Sequence, residues 1–323
     1  MRVMVTGGAG YIGSVIVRRL LLRGHEVAVY DDLFRGHRDA VPADAAFEHG
    51  DVRDAVRLTE ALDAHGCDAL VHMAALAEVG ESVREPAWYH DVNVNGTAAV
   101  IAAAHASGAR RLVFSSTAAV YGEPLRVPID EEDPLRPTNP YGAGKLEGER
   151  LLGEARDRGD LAFTALRYFN ACGADGPRGE DHDPETHLVP LALRAARDGG
   201  TLSVFGDDYA TPDGTCVRDY VHVADLADAH IAALEALPGI QGAFNLGTGT
   251  GDSVRAVLDA VRRVTGLPLQ ARVVARRAGD PPALVAGNAR AGDRLGWRPS
   301  RSLEDAVRDA WTWMLENPEG YTA

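Results

Sequence analysis

The chain has 323 residues, of which 46% are hydrophobic and 25% are charged, so it can bury a large core. A formal net charge of -14 argues against nonspecific binding to nucleic acid or anionic membranes, and no apolar segment is long enough to cross a bilayer. Three scattered cysteines predict neither a disulfide framework nor a zinc site, so we expect a cytoplasmic protein with free thiols and no bound metal.

Short β-branched segments alternate with helical segments in the first half of the chain. The predicted strands are residues 2–5, 27–30, 69–73, 111–116 and 163–170, and the predicted helices are residues 12–24, 55–66 and 95–108. This alternation predicts right-handed crossovers. We therefore expect an α/β fold of the Rossmann type, a doubly wound parallel sheet covered by helices on both faces.

A glycine-rich turn, "TGGAGYIGS" (6–14), follows the first strand and opens the first helix. Gly8, Gly10 and Gly13 fit the G-x-G-x-x-G pattern, and Gly7 extends it to the wider G-x-x-G-x-x-G. Such turns let backbone N–H groups approach a diphosphate, although they also serve as plain strand–helix connections.

Two carboxylates, Asp31 and Asp32, end the second strand. An acid at this point of a dinucleotide-binding unit binds the adenosine ribose, whereas a structural interpretation has both residues capping a loop. A carboxylate there also repels a 2′-phosphate, so the pattern favours NAD over NADP.

Three hydroxyl residues, Ser115, Ser116 and Thr117, end the fourth strand. The carboxyl ends of parallel strands are where ligands bind, but a hydroxyl-rich turn can also satisfy its own backbone. The position alone does not decide between the two.

The segment "TNPYGAGKLEGE" (138–149) contains Tyr141 and Lys145, four residues apart. Its glycines lower helix propensity, yet only a helix would place both side chains on one face. We predict a helix in which Gly142 and Gly144 permit close packing. A nearby ammonium and a positively charged nicotinamide are together expected to lower the pKa of the tyrosine, so that it can act as a base on an alcohol.

The second half of the chain changes in composition. Residues 171–187 are rich in turn formers and charges and predict a long functional loop, and the remainder predicts a smaller mixed α/β lobe. We expect a Rossmann-type NAD-binding domain over 1–170 and a mainly substrate-binding lobe over 171–323, which returns some elements to the first domain. The ligand is expected in the cleft between them.

These segments together resemble one family, the UDP-glucose (UDP-galactose) 4-epimerases of the extended short-chain dehydrogenase/reductases. The resemblance runs along the whole chain. The motifs that carry it are "TGGAGYIGS", "SSTAAVYG", "PYGAGK", "RYFNACGA", "GEDHDPETHLVP", "FGDDYATPDGTCVRDYVHVADLADAH", "NLGTGTGDSV" and "RRAGDPPALVA".

The resemblance implies a role for each matching position. Tyr141 would be the base for the sugar 4-hydroxyl, Thr117 would share a hydrogen bond to that oxygen, and Lys145 would hold the nicotinamide ribose. The positions implied to contact NAD are Gly7, Gly10, Tyr11, Ile12, Gly13, Asp31, Asp32, Asp51, Val52, Met73, Ala74, Ala75, Asn93, Ser115, Tyr141, Lys145 and Phe169. The positions implied to hold the UDP-sugar are Thr117, Asn170, His187, Leu188, Phe205, Arg218, Arg277, Asp280 and Leu284.

Three departures from the family pattern affect these expectations. Ala77 and Glu78 stand where many members have a lysine near the cofactor phosphates, so NAD is expected to be held less tightly. His187 replaces an amide that contacts substrate in some members. Leu284 has an intermediate size at a position that bears on whether an N-acetyl sugar fits.

Other functions on the same scaffold remain open to different degrees. Related dehydratases carry an acid pair after the catalytic threonine and decarboxylases retain a glutamate there, whereas this chain has Ala118 and Ala119, which cannot transfer protons. The alternatives are 4-epimerisation of a UDP-N-acetylhexosamine or UDP-pentose, or a non-catalytic NAD-sensing protein. Members of the family are commonly dimers, so we expect a homodimer.

Overall fold

The structure is a computed structural model that describes residues 1–277 and 279–321, in which short strands alternate with helices. The strands are β1 Arg2–Thr6, β2 Glu26–Asp31, β3 Ala46–His49, β4 Ala69–His72, β5 Arg111–Thr117, β6 Ala162–Tyr168, β7 Asn170–Cys172, β8 Thr201–Phe205, β9 Val217–Arg218, β10 Tyr220–His222, β11 Gly242–Leu246, β12 Asp252–Ser253, β13 Gln270–Val274 and β14 Ala283–Leu284. The helices are α1 Tyr11–Leu22, α2 Ala55–Ala64, α3 Val79–Arg84, α4 Pro86–His90, α5 Gly96–Ser107, α6 Pro140–Asp157, α7 Leu188–Asp198, α8 Val223–Ala236, α9 Val254–Thr265, α10 Ala289–Leu295 and α11 Leu303–Glu316.

A seven-stranded parallel sheet forms the centre, with the strand order β11-β6-β5-β4-β1-β2-β3. The chain runs outward from β1 in both directions, so the order reverses between β1 and β4. Ligands of open α/β sheets bind at such a switch point, beyond the carboxyl ends of the strands. The predicted α/β fold with a doubly wound parallel sheet is confirmed.

Both faces of the sheet are covered because its strands alternate apolar side chains between two cores. Val3 and Val5 of β1 pack with α1 and α8, whereas Met4 packs with α2, α5 and α6. A strand with both faces buried reads as a continuous apolar segment rather than an alternating one. The continuous apolar segment of β1 therefore allowed the strand to be predicted from the sequence.

Two strands of the sheet lie outside the five that the sequence predicted. Strand β3 has only four residues and is partly exposed, so its apolar signal is weak. Strand β11 comes from the second half of the chain and pairs with β6, with Gly242 opposite Thr164. The division into domains after residue 170 stays a prediction.

A separate apolar core lies under the second half of the chain, where α7, α9 and α11 pack with β8, which pairs in parallel with the mostly exposed β13. Three short strands in the order β12-β9-β14 form a further small sheet. Within the described ranges, no helix combines the length and the apolar character that a membrane crossing needs.

Helix α6 confirms the helix predicted around Tyr141 and Lys145. The Asn139 side chain accepts a hydrogen bond from the backbone N–H of Gly142 at 2.8 Å, and Pro140 occupies the first helical position. Both features favour the start of a helix. These two features favour the start of α6 although the glycines that follow have low helix propensity.

The glycines of α6 differ in how much space surrounds them. A Cβ atom on Gly142 would lie 2.5 Å from the Ala119 carbonyl oxygen, and one on Gly148 would lie 2.7 Å from the Phe114 ring. A Cβ on Gly144 would make ordinary contact with Asn93 at 3.5 Å. The expected close approach is present at Gly142, is wrong for Gly144, and occurs instead at Gly148.

Alanine substitutions in α6 provide a test of this packing. Gly153→Ala, where a Cβ would meet nothing within 4 Å, is expected to raise the free energy of unfolding by up to about 1 kcal/mol because alanine favours helix. Gly142→Ala and Gly148→Ala are expected to lower it by about 1–3 kcal/mol through overpacking. Urea unfolding measures all three, and equal stabilisation by Gly142→Ala and Gly153→Ala would contradict the close approach.

Candidate active site

A cavity of about 640 Å³ opens at the switch point of the sheet, beyond the carboxyl ends of β1, β2, β4, β5 and β6. Segment 171–187 closes another side of it. The predicted site residues that line this cavity are Gly7, Gly10, Tyr11, Ile12, Gly13, Asp31, Asp32, Asp51, Val52, Met73, Ala74, Ala75, Ser115, Thr117, Tyr141, Lys145, Phe169, Asn170 and His187.

The glycine-rich turn is fitted closely into this cavity wall. Gly7 has a φ of +71°, and a Cβ on it would lie 2.5 Å from the backbone nitrogen of Ala74. A Cβ on Gly13 would lie 2.1 Å from the Gly7 carbonyl oxygen. Gly10 caps α1 without a side chain, and the first turn holds no acidic residue. The N–H groups at the start of α1 can therefore receive a diphosphate, as NAD requires.

The two predicted ribose-binding carboxylates differ in their surroundings. Asp31 is buried, and its two oxygens accept the backbone N–H groups of Ala9 and Leu33, both at 2.9 Å. Burial raises the pKa of Asp31, and these two hydrogen bonds act in the opposite direction. Asp32 is exposed and accepts the N–H of Phe34 at 3.0 Å. Both carboxylates reach the cavity, so both can meet ribose hydroxyls.

Asn93 does not line the cavity, unlike the other positions implied to contact NAD. It is buried, and its side-chain amide forms two hydrogen bonds of 2.9 Å with the backbone of Leu76. Leu76 itself lines the cavity. Asn93 therefore shapes the loop after β4 rather than the cavity surface.

Helix α6 and the end of β5 bring Thr117, Tyr141 and Lys145 to one cavity wall. The Thr117 hydroxyl accepts the N–H of Ala119 at 3.2 Å. Ser115, two residues earlier, shares a hydrogen bond with the hydroxyl of Tyr168. The strand end thus supplies hydroxyl groups to the same wall as the tyrosine and the lysine.

In the chain without a bound cofactor, burial has the largest effect on the pKa values of Tyr141 and Lys145. It raises the pKa of Tyr141 to about 12, against the effect of a hydrogen bond with the Thr117 side chain. It lowers the pKa of Lys145 to about 7. In the chain by itself desolvation favours the neutral form of each group. The expected lowering of the Tyr141 pKa, which requires the nicotinamide charge as well as the Lys145 ammonium, stays a prediction for the NAD-bound protein.

Lys145 is the only lysine among the 33 lysines and arginines of this chain. Its side chain is buried, with Nζ 5.0 Å from the centre of the Phe114 ring. Within residues 1–277 and 279–321, no carboxylate forms an ion pair with it. A lysine can lose its proton when buried, whereas an arginine cannot. The composition of the chain alone therefore distinguishes this position, a signal that the motif analysis did not use.

Most of the predicted UDP-sugar residues form a second group outside the cavity lining. The Arg277 guanidinium stacks on the Phe205 ring at 3.9 Å from its centre, and Arg218 Nη2 lies 3.7 Å from Asp280 Oδ1. Leu284 pairs with Arg218 between β14 and β9.

Leu284 links the second group to the cavity. It packs against an apolar cluster that contains Ala118 and Phe169, which are neighbours of Thr117 and Asn170 in the chain. Leu188 instead packs into the core under α7 and α9. Leu284 thus contacts chain neighbours of the reactive wall, whereas Arg218 and Arg277 lie outside the cavity lining.

The cavity mouth contains groups that the sequence analysis missed. Phe34 and Trp88 meet edge to face with ring centres 5.3 Å apart, and both line the cavity. Glu78 accepts a hydrogen bond of 2.8 Å from the Thr186 hydroxyl. The available signal was Phe34, two residues after Asp32, because exposed apolar surface beside a cavity can belong to a binding site.

Comparison with known proteins agrees with this geometry. Residues 3–247 match the NAD dependent epimerase/dehydratase family. The chain is 47% identical to a UDP-glucose 4-epimerase of Halalkalibacterium halodurans, covering 100% of this chain and 98% of that one.

Two solved structures support the same assignment. A UDP-glucose 4-epimerase from Brucella ovis in complex with NAD superimposes with a TM-score of 0.93 at 46% identity, covering 96% of this chain and 97% of that one. The enzyme from Bifidobacterium longum in complex with NAD+ and UDP gives a TM-score of 0.93 at 35% identity, covering 99% and 100%. The resemblance found in the sequence is confirmed, and the chain belongs to the NAD dependent epimerase/dehydratase family.

Proposed function

We propose that this chain interconverts UDP-glucose and UDP-galactose by inverting C4 of the sugar with NAD as cofactor. The observation that carries the proposal is the shared cavity wall of Thr117, Tyr141 and Lys145 beside a glycine-rich turn fit for a dinucleotide. The names of the relatives, UDP-glucose 4-epimerases at up to 49% identity, support the choice of substrate.

In this reaction Tyr141 Oη removes the proton of the sugar 4-hydroxyl, with Thr117 oriented toward the same oxygen. NAD, when bound, supplies the acceptor for the hydride that leaves C4, together with a positive charge. That charge favours the phenolate form of Tyr141, which burial alone opposes. The resulting 4-keto sugar then rotates so that its opposite face is presented for reduction. Tyr141 returns the proton as C4 is reduced again.

Lys145 is suited to hold the nicotinamide ribose. It lies four residues after Tyr141 in α6, so the two side chains share a face. No acidic side chain competes for its Nζ among the described residues, which leaves this donor available to ribose hydroxyls. Its pKa of about 7 allows it to carry a proton near neutral pH without a strong preference for either form.

The sugar nucleotide is held at a distance from the reactive wall. Arg218 and Arg277 present guanidinium groups that can bind a diphosphate through paired hydrogen bonds. The Phe205 ring stacks against the Arg277 guanidinium. A firm grip on UDP by these residues leaves the sugar free to rotate, which inversion at C4 requires.

Elimination chemistry is disfavoured at this wall. Ala118 and Ala119 follow Thr117 in a short helical turn, and neither side chain can act as an acid or base. A non-catalytic NAD-binding protein would have no use for the Thr117, Tyr141 and Lys145 group.

An assay with UDP-N-acetylgalactosamine and UDP-pentoses determines which sugars the Leu284 surface admits. A homodimer and a cytoplasmic location stay predictions.

The direct test is conversion of UDP-galactose by the purified protein with NAD, with products resolved by chromatography. UDP-glucose is expected to appear and to reach equilibrium with the substrate from either side. Absence of UDP-glucose would contradict the proposed function.

Tyr141→Phe is expected to lower turnover at least about 100-fold, because general base catalysis is lost, while binding of UDP persists. Tyr209→Phe is the matched control, since the buried Tyr209 hydroxyl has no hydrogen-bond partner in the described part of the chain. Turnover and UDP titration calorimetry of both variants measure the effect. Equal turnover in the two variants would remove Tyr141 from its role.

The single lysine makes its ionisation directly measurable. In protein labelled with ¹³Cε-lysine, one Cε resonance is expected, and in the cofactor-free chain it should titrate with a midpoint near 7. Because this pKa is lowered on folding, the cost of burying the ammonium is greatest below pH 7 and fades as pH rises toward 10.5. Lys145→Met should remove that part of the pH dependence of unfolding. A midpoint near 10.5 would contradict the buried environment.

A further inference from the structure

Four metal-ligating side chains meet in the segment between β7 and α7. Glu180, His182, Glu185 and His187 each offer one nitrogen or oxygen atom, and these atoms lie within 4.8 Å of one another. None of them belongs to the wall of Thr117, Tyr141 and Lys145. We call this group the Glu/His quartet.

Nδ1 of His187 lies close to both carboxylates of the quartet. Nδ1 of His187 lies 2.7 Å from Glu180 Oε1 and 3.0 Å from Glu185 Oε1. Nδ1 of His182 lies 3.2 Å from the same oxygen of Glu180. Two carboxylates and two imidazoles thus face one another around a small common volume.

The quartet contains buried polar atoms that the protein leaves unsatisfied. The Glu185 side chain is only 1% exposed, and its Oε1 accepts the backbone N–H groups of Thr186 and His187. Its Oε2, however, has no hydrogen-bond partner within the described residues, and the buried Nδ1 of His182 has only the 3.2 Å contact with Glu180 Oε1, which lacks hydrogen-bond geometry. Orphaned buried acceptors are costly, and both atoms are ligand types for a metal ion.

We propose that the Glu/His quartet binds one divalent transition-metal ion, with zinc as the best match. Imidazole nitrogens and carboxylate oxygens are the common non-thiolate ligands of zinc. Tetrahedral zinc with bonds of 2.0–2.2 Å separates its ligand atoms by about 3.3–3.5 Å. The distances of 2.7, 3.0 and 3.2 Å in the quartet require small outward shifts, and the remaining pairs, which lie within 4.8 Å, must also adjust toward this separation. The proton shared between His187 and the carboxylates leaves to solvent when the metal binds.

The quartet lies at the wall of the cofactor cavity, where a cation has a further effect. Glu180, His182 and His187 line that cavity, and the Tyr11 ring meets His182 edge-on at 6.2 Å. Tyr11 begins α1, directly after the turn that faces the diphosphate. A divalent cation would offset the two glutamates beside this turn, so zinc is expected to tighten the binding of NAD as well.

The expectation of no bound metal rested on the cysteines alone. The quartet follows the spacing E-x-H-x-x-E-x-H within "GEDHDPETH" (179–187), a segment that the family resemblance assigned to substrate contact through His187. The spacing does not identify a helix or a strand. The convergence of the four side chains therefore became visible only in the folded chain.

The first experiment measures zinc binding to the full-length, NAD-loaded protein after chelator treatment and dialysis. Titration calorimetry with zinc chloride is expected to give about one ion per chain, and His182→Ala should weaken binding at least about tenfold. The matched control is His65→Ala, which removes a histidine that pairs with Glu48 alone at 2.9 Å. Absence of zinc binding by the parent protein, or equal affinity in His182→Ala and the parent, would overturn the proposal.

The second experiment needs no variant and so does not depend on a variant that folds. X-ray absorption at the zinc edge of the loaded protein is expected to show a first shell of nitrogen and oxygen with imidazole scattering. A sulfur ligand from Cys67, Cys172 or Cys216 would contradict the assignment. Zinc should also lower the dissociation constant of NAD in the parent protein but not in His182→Ala. These readouts involve no turnover, so they can fail while the proposed epimerase activity stands.

Discussion

The close contact between helix α6 and strand β5 is the constraint on which the rest of the site depends. Gly142 allows the helix backbone to approach the Ala119 carbonyl, and Gly148 allows it to approach Phe114. Tyr141 and Lys145 of this helix both line the cavity. The helix gives up favourable propensity at each glycine, and burial of the element offsets that cost.

Burial of Tyr141 and Lys145 also determines which part of their ionisation depends on the protein and which part depends on the cofactor. In the chain by itself, desolvation keeps Tyr141 protonated and neutral and brings the pKa of Lys145 down to about 7. In the proposed reaction, the positive charge of NAD would therefore be needed to ionise Tyr141. Arg218 and Arg277, which are proposed to bind UDP, lie outside the lining of this cavity. The proposed binding and the proposed chemistry thus occupy different surroundings.

The fold and the reactive wall were predictable because their signals are local. Residues 6–14 and the pair Tyr141 and Lys145 lie within single segments, and a strand–helix alternation fixes how they meet. Contacts between distant segments were not predictable, as with Phe34 against Trp88 or Glu78 against Thr186. Strand β11 joined the sheet from far along the chain for the same reason, because pairing is a tertiary property.

The central claim is that C4 exchanges a hydride with the cofactor inside this cavity, without exchange with water. The most direct measurement follows UDP-[4-²H]glucose as the protein converts it, with the product analysed by proton NMR. The account predicts that deuterium is retained at C4 of UDP-galactose and that turnover shows a primary isotope effect. Appearance of a solvent-derived proton at C4 would contradict it.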